Sequence, residues 1–459
     1  DLIEFDQQQQ SKSSLSAPLL FPNPEGQDHL QSKLKNNPLS GMTFWKLCRL
    51  LFWEKRCSVD WFRYKERIIC LLLVSIFNSC LAAMEWIYIK IHQSSLLNRA
   101  SASHKNLLRT SEAPIFVLGH PRTGTTLLHS LLALDDDRFT TCSTFCAGFP
   151  HAFLSFEHWG KKLFSSLLSD RRPMDNMKLH FDLPQEDELA TCLLTGGMYS
   201  PYMSLYFIRD EHEYRQYQTF QNAPPDHVEQ WTKSFQWLCT KLQMRDLKQQ
   251  RQRQQQKRKG GQTRVDDISS LRPRRLLLKS PCHTGRVHHL LKLYPNAQFV
   301  YIHRHPLEVF LSGVHMANTT YGYMFLQKPR DGDLKEYILR QGEILIEEYL
   351  NSIEELQQCG KLAIGKNLVE ISFEELTNNP YQTIESIYNG LDGLKNIFSS
   401  SSPSTSTPPS SSFPTKLKAY CERLKGYRRN QFDISLVDEE LHKEIKSRWK
   451  IQYEQFGYS

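Results

Sequence analysis

PIFVLGHPRTGTTLLHSLL, residues 114–132, decides how this chain is read. The apolar run Ile115–Leu118 has the length and composition of a buried strand, and Gly119–Thr126 reads as a tight loop. Leu127, Leu128, Leu131 and Leu132 then recur at helical spacing. Strand, glycine loop and helix in that order make an anion cradle, because the loop amides and the helix N-terminus converge on one point. The spacing Gly119-x-x-x-x-Gly124 is followed by Thr125-Thr126, not by the Lys-Ser/Thr that holds the outer phosphates and magnesium in ATP-type loops. Arg122 is the only fixed cation within the loop. That suits a donor with a single 5′ anionic group and no metal better than a triphosphate, and it counts against a kinase or NTPase.

Outward from this loop, apolar runs alternate with helical patterns. The sequence predicts strands at 115–118, 275–279, 298–303 and 367–372, with helices at 124–135, 284–294, 306–318, 332–357 and after Pro380. Such alternation predicts an α/β fold, a P-loop-like parallel β-sheet flanked by helices. At 459 residues the chain has room for a large core, and roughly 100–200 residues per domain would allow two or three domains. The reading here is one large domain over 110–459, with low-complexity inserts at 245–275 and 397–414.

The net charge is +8, and Leu242–Arg275 alone holds eleven Lys/Arg against three Asp. The rest of the chain is balanced. The excess sits in a Gln-rich insert expected to be solvated, not on a patterned face, so nucleic acid is not an expected partner. Deleting 245–275 is expected to be nearly silent, whereas an interaction protein working through that basic insert would lose its activity. Eleven cysteines occur singly without a CxxC pair, which indicates neither a zinc site nor a redox motif.

Residues 1–41 are rich in Gln, Ser, Asn and Pro and are expected to form a disordered tail. Residues 42–95 are expected to form hydrophobic and amphipathic helices. Within them Ile68–Met84 runs seventeen residues without a charge, flanked by Trp45, Trp53, Trp61 and Trp86. Three readings stand: a transmembrane segment at 68–84, an interfacial helix, or a helix packed on the soluble domain. Each of the first two makes the membrane a partner through 42–90. If the run spans, seven Lys/Arg precede it and four follow it up to Arg109, which favours a cytosolic N-terminus and a lumenal catalytic domain. A cytoplasmic location is the alternative.

A second anion site is expected at Gln298-Phe-Val-Tyr-Ile-His-Arg304-His-Pro306. Arg304 would end a strand and Ser312 would lie about two turns into the next helix, both facing the crevice where open α/β sheets bind ligands. Together the two motifs resemble those of sulfotransferases that use 3′-phosphoadenosine 5′-phosphosulfate (PAPS). GHPRTGTT is similar to their 5′-phosphosulfate loop; Arg304, Pro306, Glu308 and Ser312 match the 3′-phosphate motif, with His305 where Asp or Asn is more usual. Over roughly 110–459 the chain is most similar to a bacterial and algal group through RRPMDNM (171–177), LPQEDE (183–188), KSPCHTGR (279–286) and YRRNQFD (427–433). The resemblance implies PAPS as donor, a hydroxyl-bearing acceptor and no metal. It implies nucleotide contacts at Arg122, Thr123, Gly124, Thr125, Thr126, Arg304, Ser312, Tyr427 and Arg428.

Transfer of a sulfuryl group requires a cation near the transferring group and a base for the acceptor proton. Lys279, at the end of the strand LLLK, is the expected cation. For the base two readings stand: His283, whose ordinary pKa suits proton abstraction, and Glu186 or Glu188 of PQEDE, either of which would need burial to raise its pKa. Asp175 and His151 are lesser candidates for acceptor contacts. The acceptor itself is left open between lipid, glycan and small metabolite.

Overall fold

The computed structural model describes residues 37–54, 56–92, 113–165, 177, 179–259, 271–395, 397–398, 412–425, 434 and 437–459. Most of RRPMDNM with Asp175, the stretch 260–270, the stretch 399–411 of the second insert, and Tyr427 and Arg428 lie outside the described residues.

Five strands, β1 (Ile115–Leu118), β2 (Phe139–Thr141), β3 (Arg275–Lys279), β4 (Gln298–His303) and β5 (Leu368–Ser372), form one sheet. Their order is β2-β3-β1-β4-β5 and every neighbouring pair is parallel. The expected α/β class therefore holds. β2 was absent from the sequence reading because its three residues, FTT, carry no apolar run. Alternation along the strands divides the core. Phe116, Leu276, Leu278, Phe299 and Tyr301 face one layer, and Ile115, Val117, Leu277, Val300 and Ile302 the other.

The helices that build and position the site are, in chain order, α1 (Lys65–His92), α2 (Thr125–Leu132), α3 (Phe153–Phe164), α4 (Asp187–Thr195), α5 (Pro225–Lys259), α6 (Val287–Leu293), α7 (Pro306–Thr320), α8 (Asp333–Gln358) and α9 (Phe373–Asn378). Between β3 and α6, where one helix over 284–294 was expected, Pro281–Arg286 first makes a tight 3₁₀ turn.

Two expectations about the flanks need correction. The insert does not begin at 245, because α5 runs on to Lys259 and its middle is packed. Arg245 pairs with Glu157 at 2.6 Å, and fully buried Asp246 accepts from Arg274 Nε at 2.6 Å. A deletion of 245–275 would remove the packed turns of α5 with both ion pairs and cut into β3 at Arg275, so it would not be silent. The tail is also shorter than expected: Leu39 is buried, and Asn37 donates to the Tyr323 carbonyl at 2.9 Å.

Residues 42–92 are continuous with the main core, since Leu47, Leu50, Ile68 and Leu71 pack in the same cluster as Phe116 and Leu276. α1 is long and apolar enough to cross a membrane. Its buried positions Ile68, Leu71, Ser75, Asn78, Leu81 and Glu85 fall three or four apart on one stripe, with Arg67 beside the first. That spacing is what a helix lying along a domain requires.

Candidate active site at the carboxyl ends of the strands

The loop after β1 closes through backbone conformations that few residues adopt. Gly119 has φ +146°, Gly124 φ +98° and Arg122, a non-glycine, φ +78°. Thr123 Oγ1 donates to the His120 carbonyl at 2.8 Å, and Thr284 Oγ1 accepts from the Gly119 amide at 2.8 Å. Gly124 caps α2 without a side chain, so the first amides of the helix are directed at whatever lies over the loop. An anion there satisfies groups that a helix otherwise leaves unpaired. The geometry thus fits the 5′ end of a nucleotide donor.

A Cβ on Gly124 would lie 2.5 Å from Phe373 Cδ2. Phe373, at the start of α9, also stacks under the Arg304 guanidinium at 4.3 Å. Gly124→Ala therefore strains the backbone and disturbs the ring below Arg304. A left-handed non-glycine residue costs about 1–3 kcal/mol. The expected result is a lower midpoint in chemical denaturation together with weaker nucleotide binding; a variant matching wild type in both measurements would contradict the packing.

Beside the loop, Arg304 donates through Nε to Glu308 at 2.9 Å and through Nη1 to the Arg122 carbonyl at 3.2 Å. Arg122 was expected at the 5′ phosphate, but its Nε donates to Ser312 Oγ at 3.0 Å. The positive φ of Arg122 turns its side chain away from α2 and toward α7. Two guanidinium groups and a hydroxyl consequently gather on the Ser312 side, a larger positive cluster than the sequence suggested.

The third part of the site lies between the loop and α4. Lys279, 1 % exposed, places its ammonium 3.3 Å from Thr126 Oγ1 and 2.9 Å from Glu186 Oε1. Glu186 Oε2 accepts from the Tyr202 hydroxyl at 2.5 Å. Burial, then the Glu186 charge, pushes the Tyr202 pKa well up, which keeps that hydroxyl a donor. Burial, then the Lys279 charge, lowers His129 to about 3. It stays neutral beneath the site.

The remaining candidates are interior. The start of α4 is stitched to the end of β3: Asp187 Oδ1 accepts from the Lys279 amide at 2.9 Å, and Ser280 Oγ accepts from the Glu188 amide at 2.9 Å. His283 is fully buried, with Nε2 2.6 Å from Asp187 Oδ2 and its ring enclosed by Phe116, Trp231 and Phe235. Burial would raise the Asp187 carboxyl, but the adjoining His283 outweighs this and holds it below the usual range. His283 thus cannot reach an acceptor, contrary to one of the two readings of the base. Glu188 is equally enclosed and pairs with Arg286 at 2.8 Å, both side chains fully buried. Of the three acidic groups in PQEDE only Glu186, with 21 % of its side chain exposed, opens onto the loop.

His151 lies at the other end of α4, 3.3 Å from the Leu193 carbonyl and 3.5 Å from Lys46 Nζ. Leu193 lies seven residues along the chain from Glu186, about 10 Å at 1.5 Å each, so His151 is not among the groups around Lys279 and Glu186. Four residues of the site were missed in the sequence: Asp187, Tyr202, Thr284 and Phe373. Among the described residues no three His, Cys, Asp or Glu side chains gather where they could hold a metal ion.

A family profile described as the sulfotransferase family matches residues 114–394. The chain is 26% identical over 348 residues, 76% of each chain, to proteins named omega-hydroxy-beta-dihydromenaquinone-9 sulfotransferase Stf3 from Mycobacterium bovis and Mycobacterium tuberculosis. Its fold is similar to the crystal structure of sulfotransferase STF9 from Mycobacterium avium, with a TM-score of 0.50 at 14% identity, covering 91% of this chain and 97% of that one.

Proposed function

The chain belongs to the sulfotransferase family, and from that premise we propose that it moves a sulfuryl group from PAPS to a hydroxyl acceptor with Glu186 as the base and Lys279 as the cation. The observation that carries this reading is the placement of one ammonium between the phosphate loop and a part-exposed carboxylate. Bound PAPS supplies an electrophilic sulfur whose bond to the 5′-phosphate oxygen breaks as the bond to the acceptor oxygen forms. The acceptor proton passes to Glu186 Oε2, whose orientation is held by Tyr202. Lys279 balances charge that develops on the leaving phosphate, where a fixed cation in a site of low polarity is most effective.

The amides and hydroxyls of Thr123, Gly124, Thr125 and Thr126 are assigned to the 5′ phosphosulfate, and Arg304, Ser312 and Arg122 to the 3′-phosphate. Tyr427 and Arg428 keep a nucleotide role on the resemblance alone, and no metal is given one. The Mycobacterium relatives are named for a hydroxylated menaquinone acceptor. They supply the pattern for a lipophilic hydroxyl acceptor here.

Direct binding of PAPS and of its desulfated product, PAP, tests the nucleotide assignment. Arg304→Ala is expected to weaken both about equally, since both carry the 3′-phosphate. A hydrogen bond to a charged group contributes about 1.5–3 kcal/mol, so the loss should be about 10- to 150-fold. Unchanged PAP affinity in this variant would remove Arg304 and Ser312 from the site.

A further inference from the structure

Of the nineteen large hydrophobic side chains exposed among the described residues, fourteen lie between Trp45 and Ile91. On α1 they include Ile69, Leu73, Ile76, Met84, Ile87 and Ile91, three to eight residues apart on the side opposite the buried stripe. From Ile69 to Ile91 this face runs about 33 Å at the helical rise of 1.5 Å per residue. α3 extends it, because Phe77 meets Phe156 and Phe164 edge-on while Trp159 and Leu163 are exposed. Monomers in water rarely expose apolar patches larger than a few hundred Å².

The surround of the patch identifies its occupant. Lys90 lies over the Trp86 ring at 5.8 Å and Lys162 over the Trp159 ring at 5.7 Å. Arg49 and Lys65 are exposed at the other end, beside the clustered rings of Trp45, Phe52, Trp53 and Trp61. An apolar face edged by tryptophans and basic side chains has the chemistry of an interfacial helix on an anionic leaflet.

The buried stripe argues how α1 meets that leaflet. Glu85 pairs with Lys241 of α5, both 2 % exposed. Arg67 donates to the carbonyls of Phe325 and Gly322, at 2.8 Å for the latter, and Asn78 donates to the Ser40 carbonyl at 2.6 Å. A helix crossing the bilayer would have to carry these charged contacts, and the sheet layer they join, into hydrocarbon. Uncompensated charge there is costly.

We propose that α1, with residues 44–53 and the exposed side of α3, lies in the plane of an anionic lipid leaflet and anchors the enzyme as a monotopic membrane protein. The exposed Arg49 and Lys65 ahead of the run then mark the leaflet contact and not a direction of crossing.

The test uses the full chain and vesicles of phosphatidylcholine with and without a minority of phosphatidylglycerol. Co-sedimentation should be strongest with the anionic vesicles and fall with salt. Five of the eight tryptophans lie on the patch, so bromine placed near the lipid glycerol should quench fluorescence more than bromine near the chain terminus. The triple variant Ile69→Glu, Leu73→Glu, Ile76→Glu should lose at least about tenfold in vesicle partition and keep PAP affinity, which reports that it is folded. Wild-type partition by that variant would overturn the proposal, as would strongest quenching from the chain terminus, which indicates crossing. A lipid-free dimer that the same variant dissolves, with no vesicle binding by wild type, would assign the face to a second copy instead. Loss of PAP binding by Arg304→Ala is read separately, so the anchor and the nucleotide assignment can fail independently.

Discussion

Glu186→Gln is expected to reduce kcat by about 10²–10⁴ with PAPS and PAP affinity nearly unchanged, the contribution typical of a positioned base. Glu186 accepts from Lys279 Nζ at 2.9 Å and from the Tyr202 hydroxyl at 2.5 Å; glutamine retains the size of the side chain, keeps the bond from Lys279 through its amide oxygen, and turns its NH2 toward the Tyr202 oxygen as a donor. The substitution therefore removes a proton acceptor more than it removes packing. Steady-state kinetics beside equilibrium nucleotide binding separates the two. Lys279→Met is the companion measurement: its charge is assigned to the leaving phosphate, so kcat should fall by more than affinity does. If Glu186→Gln keeps most of its turnover while His283→Ala loses it and remains as stable as wild type, the base is on the wrong residue.

The sequence offered two carboxylates, Glu186 and Glu188, and the histidine His283 as the base, with no means of choosing among them. PQEDE and KSPCH both announce a site, and the structure places them against each other through the Asp187 and Ser280 contacts. A helix beginning at Asp187 turns successive side chains by about 100°. Glu186, Asp187 and Glu188 therefore face the loop, His283 and Arg286 in turn. One residue of register decides which is accessible, and helix boundaries are the least legible feature of a sequence. Tyr202 carried no signal because its partner is sixteen residues away across a turn. The strand, glycine loop and helix of 115–132, by contrast, were legible because they are contiguous, whereas the turn of Arg122 toward Ser312 and the contacts of Thr284 and Phe373 come from distant segments. α1 failed to declare its setting for another reason: Ile68–Met84 is equally apolar on both sides, and only Asn78 and the distant Glu85 hinted at a buried stripe.

The strongest effect on stability is expected from breaking the neighbouring pair. Glu188 accepts from Arg286 Nη1 at 2.8 Å, from Ser200 Oγ at 2.8 Å and from Trp231 Nε1 at 3.1 Å, with no exposure of the side chain. Arg286 is sandwiched between Phe220 at 4.2 Å and Trp231 at 4.6 Å, so it cannot swing to water when its partner goes. Glu188→Ala should then cost about 3–5 kcal/mol, the usual penalty for an uncompensated buried charge. Glu188→Gln should cost less, because the amide can still accept from Trp231 and Ser200. Replacing both members, as in Glu188→Leu with Arg286→Met, should recover part of the loss, since the desolvation of two charges is then no longer required. Denaturant unfolding of wild type, Glu188→Leu, Arg286→Met and the double variant gives the coupling directly. Should Glu188→Ala unfold at the wild-type midpoint yet lose turnover, Glu188 belongs to the reaction and the division between an accessible Glu186 and an interior Glu188 is wrong.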